Sequence, residues 1–532
     1  MSGAARLLDR RGASVVAALV AGAGTALAFA PFGVLPGLLG YGALMTLFDA
    51  ADPARPLRSA FWSGWLAGAA FFLISTWWIS EAFFVDAEKH AWQAPFAIGF
   101  LAGGLGLFWG LAGVAYRALN PSGPLRVLVF AGVFCLVEWL RGHVLTGFPW
   151  DLAGESWRAG SPMSQAAALV GAYGLSWITA AASAAPVLLL DEGDRRVRFG
   201  AVLAALVAIV GLYGFGLARL AGAAPTPADA PMVRIVQPNV AEEADYSPER
   251  LEAILADYLR LSASPAARAP DIVVWPEGAI PAALNDYLAP GAWTRAAIAG
   301  ALKPGQTLMV GGYRVAGSSA ARLFYNTLLA LRAEPGGLRI TGVYDKHRLV
   351  PFGEYLPLER FLKPLGVNKL VNVGDGFTPG PPPAPITPAG VPRVQPLICY
   401  ESLFPGFTRA GARASGRPAW IVNISDDAWF GRSYGPLQHL NLASYRAIEE
   451  GLPIVRATPT GVSAVIDAYG RIPRGARLDH GASGVIDIAL PPALAPTLYE
   501  RTGSFGFLLM LIISGCAAMI GRMTQRKSNE RG

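Results

Sequence analysis

Three residues that could do chemistry each end an apolar, strand-like run in the C-terminal half of the chain. Glu277, Lys346 and Cys399 are the last residues of the segments IVVWPE, VYDK and VQPLIC. A carboxylate can act as a general base, an ammonium can stabilise an oxyanion, and a thiol can act as a nucleophile. The combination predicts acyl transfer through a cysteine, with the backbone N–H of Tyr400 as a second oxyanion donor.

Each residue also has an ordinary structural explanation, and other chemistries compete. A lone cysteine at a strand end is often only a buried core residue. A Cys-His pair with His347 or His439 is a weaker alternative. His347 should point away from the site if the segment is extended, and His439 lies on a helical pattern. Asp426-Asp427 is the nearest acidic pair and has no histidine cluster, so we expect no metal and no cofactor.

The composition indicates a membrane protein with a soluble insert. The chain has 532 residues, of which 53% are hydrophobic and only 15% are charged, against about 25% in a soluble globular chain. Its net charge of +7 comes mainly from arginines in short loops beside apolar spans. Membrane topology therefore explains this charge better than nucleic-acid binding does.

Eight apolar stretches have about the length that a bilayer requires. They lie at about 13–30, 32–48, 59–79, 94–116, 125–140, 162–190, 199–218 and 504–521. A cleaved signal peptide is the alternative for the first, but the second span follows it at once. Most lysines and arginines of the short loops fall on one side, against Lys89, Arg141 and Arg158 on the other. This asymmetry predicts cytoplasmic termini and an external segment 219–503.

The soluble segment alternates strand-like and helix-like runs, which predicts an α/β sandwich with helices covering the sheets. The domain prediction is a seven-helix membrane domain (1–220), a catalytic domain (221–503) and a C-terminal helix with its tail (504–532). Strand candidates are 232–237, 271–275, 307–315, 323–331, 394–399, 419–424, 462–467 and 484–489. Helical stretches are expected near 247–261, 292–302 and 437–450.

Longer motifs around these residues resemble those of one family. The stretch VYDKHRLVPFGEYLP begins at Val343, CYES begins at Cys399, and NISDDAWFG begins at Asn423. In the apolar region, FAPF, EWLR and TGFPW begin at Phe29, Glu138 and Thr146. With these motifs the chain resembles the bacterial apolipoprotein N-acyltransferases, membrane-embedded members of the nitrilase superfamily.

The resemblance implies a nitrilase-like αββα sandwich and roles for particular residues. It implies Glu277 as base, Lys346 as electrostatic stabiliser and Cys399 as nucleophile. It also implies supporting roles for Glu354, Tyr400 and Glu401. Two aromatic residues are further candidates: Trp429, which we expect to form an apolar wall of the lipid site, and Tyr246, where the family often has tryptophan.

The implied reaction moves a fatty acyl chain from a membrane phospholipid to Cys399. The thioester then acylates the α-amine of the diacylglyceryl-cysteine of an apolipoprotein. Two other functions compete: a membrane-tethered amidase acting on a small amide, and a scaffold that keeps the fold without catalysis. The implied enzyme is a monomer in the bacterial inner membrane. The apolar segment 349–373 has two interpretations: a mobile arm that gives lipids access to the site, or an ordinary packed loop.

Overall fold

The computed structural model describes residues 11–192, 194–243, 245–318, 321–362, 364 and 376–529. The contacts between these residues divide the chain into two compact units. The first comprises the described residues within Met1–Ser80, Gln93–Ala223 and Thr497–Gly532, and the second those within Glu81–Trp92 and Ala224–Pro496. The second unit thus includes a short segment from between two apolar helices of the first.

The α-helices of the described residues are named here in chain order. They are α1 (Arg11–Ala26), α2 (Leu39–Asp49), α3 (Pro56–Thr76), α4 (Ala87–His90), α5 (Ala94–Leu119), α6 (Arg126–Arg141), α7 (Ala167–Ala184), α8 (Arg195–Ala221), α9 (Pro248–Ser262), α10 (Leu284–Tyr287), α11 (Trp293–Ala301), α12 (Glu359–Leu362), α13 (Phe407–Ser415), α14 (Gly435–Glu450), α15 (Leu498–Thr502) and α16 (Phe505–Asn529).

The strands all lie in the second unit. They are β1 (Met232–Gln237), β2 (Ile272–Val274), β3 (Thr307–Ser318), β4 (Ala321–Glu334), β5 (Gly337–Asp345), β6 (Val394–Ile398), β7 (Trp420–Ile424), β8 (Ile454–Ala457), β9 (Ser463–Ile466), β10 (Arg477–Leu478) and β11 (Gly484–Ala489).

Five helical segments of the described chain are long and apolar enough to cross a membrane. They are Pro56–Phe84, Ala87–Leu119, Met163–Leu190, Arg195–Ala221 and Phe505–Thr524. The other three predicted spans correspond to α1, α2 and α6, which have 16, 11 and 16 residues. At 1.5 Å per residue these helices are shorter than a hydrocarbon core of about 30 Å. The eight-span arrangement therefore stays a prediction.

Small residues and paired charges hold the apolar helices together. A Cβ atom on Gly64 of α3 would overlap the carbonyl oxygen of Trp109 of α5, so glycine permits the close approach of these two helices. Glu138 and Arg141 of α6 are both buried, with Arg141 Nε 3.0 Å from Glu138 Oε1. Trp109 Nε1 donates to the same oxygen at 3.2 Å. The polar residues of the EWLR motif thus satisfy one another inside an apolar unit.

The second unit contains two mixed β-sheets. The first has the strand order β11-β1-β2-β3-β4-β5, and the second has the order β10-β9-β8-β7-β6. Strands β1, β2 and β3 run parallel, as do β6, β7 and β8, and the outer strands pair antiparallel. Helices occupy the connections between the parallel strands, as such crossovers require.

The core of this unit follows the alternation of side chains along each strand. In β1, Val233 and Ile235 join an apolar cluster with Val422 and Ile424 of the second sheet. The next residue, Val236, points to the opposite face and joins a different cluster with the helices α9 and α11. Helix α14 is almost wholly buried and contacts the turns after β6 and β7. The α/β sandwich prediction is therefore confirmed.

Three strands are absent from the predicted strand candidates: β5, β8 and the two-residue β10. β5 was expected only over its last residues, because glycine and charged residues interrupt the apolar pattern of this edge strand. β8 has only four residues, IVRA, and all of them are buried. Its arginine interrupts the apolar run, so the sequence does not indicate a buried strand there. The predicted helices near 247–261, 292–302 and 437–450 correspond to α9, α11 and α14.

A buried arginine should be a principal stabiliser of the first sheet. Arg234 is 1% exposed, and two of its nitrogens lie 2.7 Å from the two carboxylate oxygens of Asp487, its partner across β1 and β11. Its third nitrogen donates to the carbonyls of Ser262 and Ser264 at 2.7 Å. We expect Arg234→Met to destabilise the fold by about 3 kcal/mol, because these acceptors would lose their donor.

The measurement is thermal unfolding of the full chain in detergent. Arg339→Met is the matched control, since Arg339 makes an exposed 2.7 Å ion pair with Glu334 that should contribute less than about 1 kcal/mol. Equal shifts in Tm for the two variants would contradict the expectation.

Candidate active site

The three predicted residues all follow strand ends of the sandwich. Lys346 comes directly after β5, Cys399 comes directly after β6, and Glu277 comes shortly after β2. Lys346 and Glu277 are buried, and Cys399 is partly exposed. The fold thus delivers an amine, a carboxylate and a thiol from separate strands, as the pattern of apolar runs predicts.

The lysine ammonium joins two carboxylates. Lys346 Nζ lies 3.1 Å from Glu277 Oε1 and 2.9 Å from Glu354 Oε1. The side-chain amide of Asn326, on β4, donates to the same two oxygens at 2.7 and 2.8 Å. Glu354 is also held by the backbone N–H of Val350, 2.7 Å from its other oxygen. The structure therefore brings Glu277, Lys346 and Glu354 into direct contact.

The charge of the lysine is secured by these partners. Burial by itself lowers the pKa of Lys346, but the negative charges of Glu277 and Glu354 outweigh it and hold the pKa above its usual range. Lys346 is therefore a permanent cation at neutral pH.

The second carboxylate oxygen of Glu277 is held by the backbone of Asp426. Glu277 Oε2 accepts a hydrogen bond of 2.8 Å from the backbone N–H of Asp426. The Asp426 side chain shares a hydrogen bond with Glu242, which requires a proton between the two carboxyl groups. Burial raises the pKa of both groups, and the charge of Glu277 adds to this rise. The pair therefore favours retention of one proton beside Glu277.

Cys399 occupies an unusual backbone conformation. Its φ of 48° lies in the left-handed region, which non-glycine residues rarely adopt, and it opens the short 3₁₀ turn Cys399–Leu403. Burial and the charge of Glu277 raise the pKa of its thiol well above the usual range, while Lys346 opposes this rise. The resting thiol therefore keeps its proton at neutral pH and needs a base to become nucleophilic.

Glu401 ties the turn after β6 to the end of β5. Its carboxylate accepts hydrogen bonds from the backbone N–H groups of Ile398, His347 and Arg348 at 2.8, 2.7 and 3.2 Å. The hydroxyl of Tyr344 lies 3.0 Å from both of its oxygens. Burial raises the pKa of Glu401 to about 7, although the backbone donors act in the opposite direction.

The remaining predicted residues lie on the loops around this cluster. Tyr400 is buried and packs edge-to-face on Phe404, with ring centroids 5.1 Å apart. Trp429 is partly exposed on the short turn after β7. The Tyr246 hydroxyl accepts a hydrogen bond of 3.2 Å from the backbone N–H of Glu243 in its own loop. These residues surround the charged cluster and take no part in its ion pairs.

The two histidines near the site have other partners. His347 Nδ1 lies 2.9 Å from the carbonyl oxygen of Gly380. His439 is buried, with Nδ1 3.0 Å from Asp427 Oδ1 and Nε2 3.1 Å from Ser402 Oγ. These contacts favour the Glu-Lys-Cys arrangement over a Cys-His pair. Within the described ranges, no group of three His, Cys, Asp or Glu side chains could hold a metal ion.

Sequence reasoning missed Asn326, Glu242 and the partners of Asp427. Asn326 lies inside an otherwise apolar strand, and Glu242 lies in a polar loop, so neither stands out by pattern. The acidic pair Asp426-Asp427 was noticed only as an unpromising metal site. Its two carboxyl groups in fact have different partners, Glu242 for the first and Arg456 with His439 for the second.

The apolar segment 349–373 is only partly described. Leu349 is buried, whereas Leu358 and Phe361 are 70% and 72% exposed. Lys363 and residues 365–373 lie outside the described residues. The described part therefore includes apolar side chains without cover, and the lipid-access hypothesis stays a prediction.

Comparison with known proteins agrees with this geometry. Residues 232–497 match the carbon-nitrogen hydrolase family, and residues 21–185 match the N-terminal domain of apolipoprotein N-acyltransferases. An apolipoprotein N-acyltransferase of Caulobacter vibrioides is 53% identical over 511 residues, which cover 96% of this chain and 95% of that protein. The chain belongs to the apolipoprotein N-acyltransferase family.

The comparisons give further matches. The apolipoprotein N-acyltransferase of Bradyrhizobium diazoefficiens is 37% identical and covers 96% of this chain and 95% of its own length. Among solved structures, an amidase of the nitrilase superfamily from Nesterenkonia AN1 is 16% identical. It covers 50% of this chain and 93% of that chain, with a TM-score of 0.34. As an apolipoprotein N-acyltransferase family member, the chain is an acyltransferase with a nitrilase-like catalytic unit, as predicted.

Glu401 should be required in its ionised form, which prevails above its pKa of about 7 and only accepts hydrogen bonds. In Glu401→Gln, an NH₂ group would face N–H or O–H donors, and at least one of them would lose its acceptor. We expect a loss of about 1–3 kcal/mol in stability and a larger loss of activity, because the Cys399 turn would shift. Thermal unfolding and acyl transfer of the full chain measure both. Glu334→Gln, at an exposed site, is the control, and equal behaviour of the two variants would refute the role.

Proposed function

We propose that the enzyme transfers a fatty acyl chain from a membrane phospholipid to the α-amino group of the N-terminal diacylglyceryl-cysteine of apolipoproteins. The observation that carries this proposal is the contact of Glu277 with Lys346 beside Cys399, in a chain of this family. A base, a fixed cation and a protonated thiol are the groups that a thioester mechanism requires.

In the first half-reaction, Cys399 attacks the ester carbonyl of the phospholipid. Its thiol proton passes to Glu277 as the sulfur–carbon bond forms. The carbonyl oxygen becomes an oxyanion, which the Lys346 ammonium and the backbone N–H of Tyr400 stabilise. Cleavage of the ester bond then releases a lysophospholipid, whose oxygen receives the proton from Glu277. The product is a thioester on Cys399.

In the second half-reaction, the neutral α-amine of the apolipoprotein attacks the thioester. Glu277 takes a proton from the nitrogen, and the same oxyanion donors act again. The carbon–sulfur bond breaks, the amide is released, and Glu277 returns the proton to the Cys399 sulfur. One site thus serves both lipids in turn, which is a ping-pong reaction.

The supporting residues hold the three catalytic side chains in position. Glu354 shares Lys346 with Glu277 and limits where the ammonium can lie. Glu401 holds the Cys399 turn, while Tyr400, Trp429 and Tyr246 provide aromatic surface around it. The amidase alternative requires water in place of the amine, and family membership favours the acyltransferase.

The proposed location follows the charge asymmetry of the loops. We propose a multi-pass protein of the bacterial inner membrane, with the catalytic domain 221–503 in the periplasm and both termini in the cytoplasm. The domain bounds 1–220 and 504–532 complete this arrangement. The substrates are the phospholipid donor and diacylglyceryl apolipoproteins, with no nucleic acid, metal or cofactor, and the enzyme acts as a monomer.

The nucleophile can be tested by mass spectrometry of the full-length enzyme mixed with phospholipid. We expect an acyl group on the wild type and on Cys516→Ser, the control for an exposed cysteine, and none on Cys399→Ser, because a serine hydroxyl is far less acidic. Glu277→Gln should acquire the group at least about 100-fold more slowly, since it lacks the base. An acylated Cys399→Ser variant would disprove the assignment.

The topology can be tested with fusions to a reporter that is active only outside the cytoplasm. Fusions after Arg219 or before Arg501 should be active, and one after Arg196 should be inactive. The reversed pattern would show that the arginine asymmetry had been misinterpreted.

A further inference from the structure

A second polar cluster lies behind Cys399, on the second sheet. It consists of Ser425, Asp427, His439 and Arg456, each at most 1% exposed, and the mechanism above uses none of them. β6 and β7 are parallel, and their register pairs Ile398 with Ile424. The residues that follow, Cys399 and Ser425, therefore leave the sheet side by side.

The Ser425 hydroxyl has two possible acceptors for its single hydrogen, the Asp427 carboxylate and the Cys399 sulfur. Its Oγ lies 2.8 Å from Asp427 Oδ1, to which it donates. Its place beside Cys399, set by the register of β6 and β7, lets this hydroxyl lower the thiol pKa, although burial raises that pKa by more. A hydroxyl has a single O–H, so it cannot donate to both partners at once. Rotation about the Cβ–Oγ bond would exchange one acceptor for the other.

Asp427 can release this hydrogen at little cost. Arg456 Nη2 lies 2.9 and 2.7 Å from its two oxygens, and His439 Nδ1 lies 3.0 Å from Oδ1. Burial alone would raise the pKa of Asp427, but these partners hold it below its usual range. Asp427 therefore stays ionised and keeps three hydrogen-bond contacts when the Ser425 hydroxyl turns away.

The cluster also holds both sides of the Cys399 turn. The Asn423 side chain contacts Arg456 and donates to the Leu397 carbonyl at 3.0 Å. On the other side, the His439 ring contacts Ser402, whose hydroxyl donates to the Cys399 carbonyl at 2.8 Å. The position of Ser425 relative to the sulfur is thus fixed from two directions.

We propose that Ser425 is a further catalytic residue, whose hydroxyl turns from Asp427 to the Cys399 sulfur as negative charge develops there. This inference rests on Cys399 being the nucleophile. Ser425 transfers no atom: the thiol proton still moves to and from Glu277 as the carbon–sulfur bond forms and breaks. Its hydrogen bond stabilises the sulfur in the attack on the phospholipid and, above all, when the sulfur leaves in the second step. Asp427, His439 and Arg456 act as positioning residues.

The test is the pH dependence of Cys399 alkylation by iodoacetamide in the full-length protein. The reagent needs no lipid site, so its rate reports the thiolate directly. The charged groups that face the thiol are Glu277, Lys346 and Asp427, and all remain in Ser425→Ala. We expect the midpoint of the profile to rise by about one pH unit, which makes alkylation about tenfold slower at neutral pH. The plateau at high pH should be unchanged.

Ser444→Ala is the matched control, because this buried serine donates to the Leu440 carbonyl within α14. It should keep the wild-type midpoint. A wild-type midpoint in Ser425→Ala would overturn the proposal, since a residue that only packs would leave the titration of the thiol unmoved. Acyl-enzyme formation and its discharge by the amine should each slow by about tenfold in Ser425→Ala.

A second variant guards against misfolding of the first. Ser425→Cys keeps the shape of the side chain and replaces a good donor with a weak one, so the same midpoint shift is expected. Peptide mass spectrometry after trypsin separates Cys399 from position 425, because trypsin cleaves after Arg409 and Arg413, which lie between them. An unshifted midpoint in this variant would also overturn the proposal. Acylation of Cys399→Ser would instead refute the nucleophile, whatever the alkylation profiles show.

Discussion

The catalytic unit depends on a buried ammonium placed between two carboxylates. A lysine that is 1% exposed is tolerated only where opposite charges compensate for the loss of water, and Glu277 and Glu354 do this at 3.1 and 2.9 Å. The requirement is geometric as well as electrostatic. Asn326 bridges the same two oxygens, so four segments of the first sheet and its loops must converge before any of these groups is satisfied.

Cys399, the proposed nucleophile, is held by a different set of contacts. A non-glycine residue with φ of 48° persists only where its surroundings compensate for the strain. Glu401 supplies part of this support, because it accepts hydrogen bonds from the N–H of Ile398 just before the turn and from the N–H of His347 just after β5. The buried Asp427 and Arg456 supply the rest from the second sheet. The same buried polar groups therefore contribute to the reactivity of Cys399 and to the stability of the fold. Substitution of any one of these groups should change both properties.

In the apolar unit, too, buried charges are compensated by nearby partners, although the surrounding medium there is lipid. Lipid cannot hydrate a charge, so the buried Glu138 and Arg141 pair with each other and with Trp109. Glycines such as Gly64 let the helices α3 and α5 approach closely. Such an anchor suits an enzyme whose proposed substrates are both lipids.

The sequence by itself determined the class of the fold and the three central residues. Glu277, Lys346 and Cys399 each follow an apolar, strand-like run, and such local signals can be read without coordinates. Only the tertiary structure decided the partners. Asn326 lies in a predicted strand, but no pattern marks it as a partner of the lysine site, and Asp426 contacts Glu277 although 149 residues of chain separate them. Ser425 reaches the thiol only through the parallel register of β6 and β7. The physical reason is that strand pairing brings distant side chains within hydrogen-bonding distance, whereas sequence patterns report only which residues are buried.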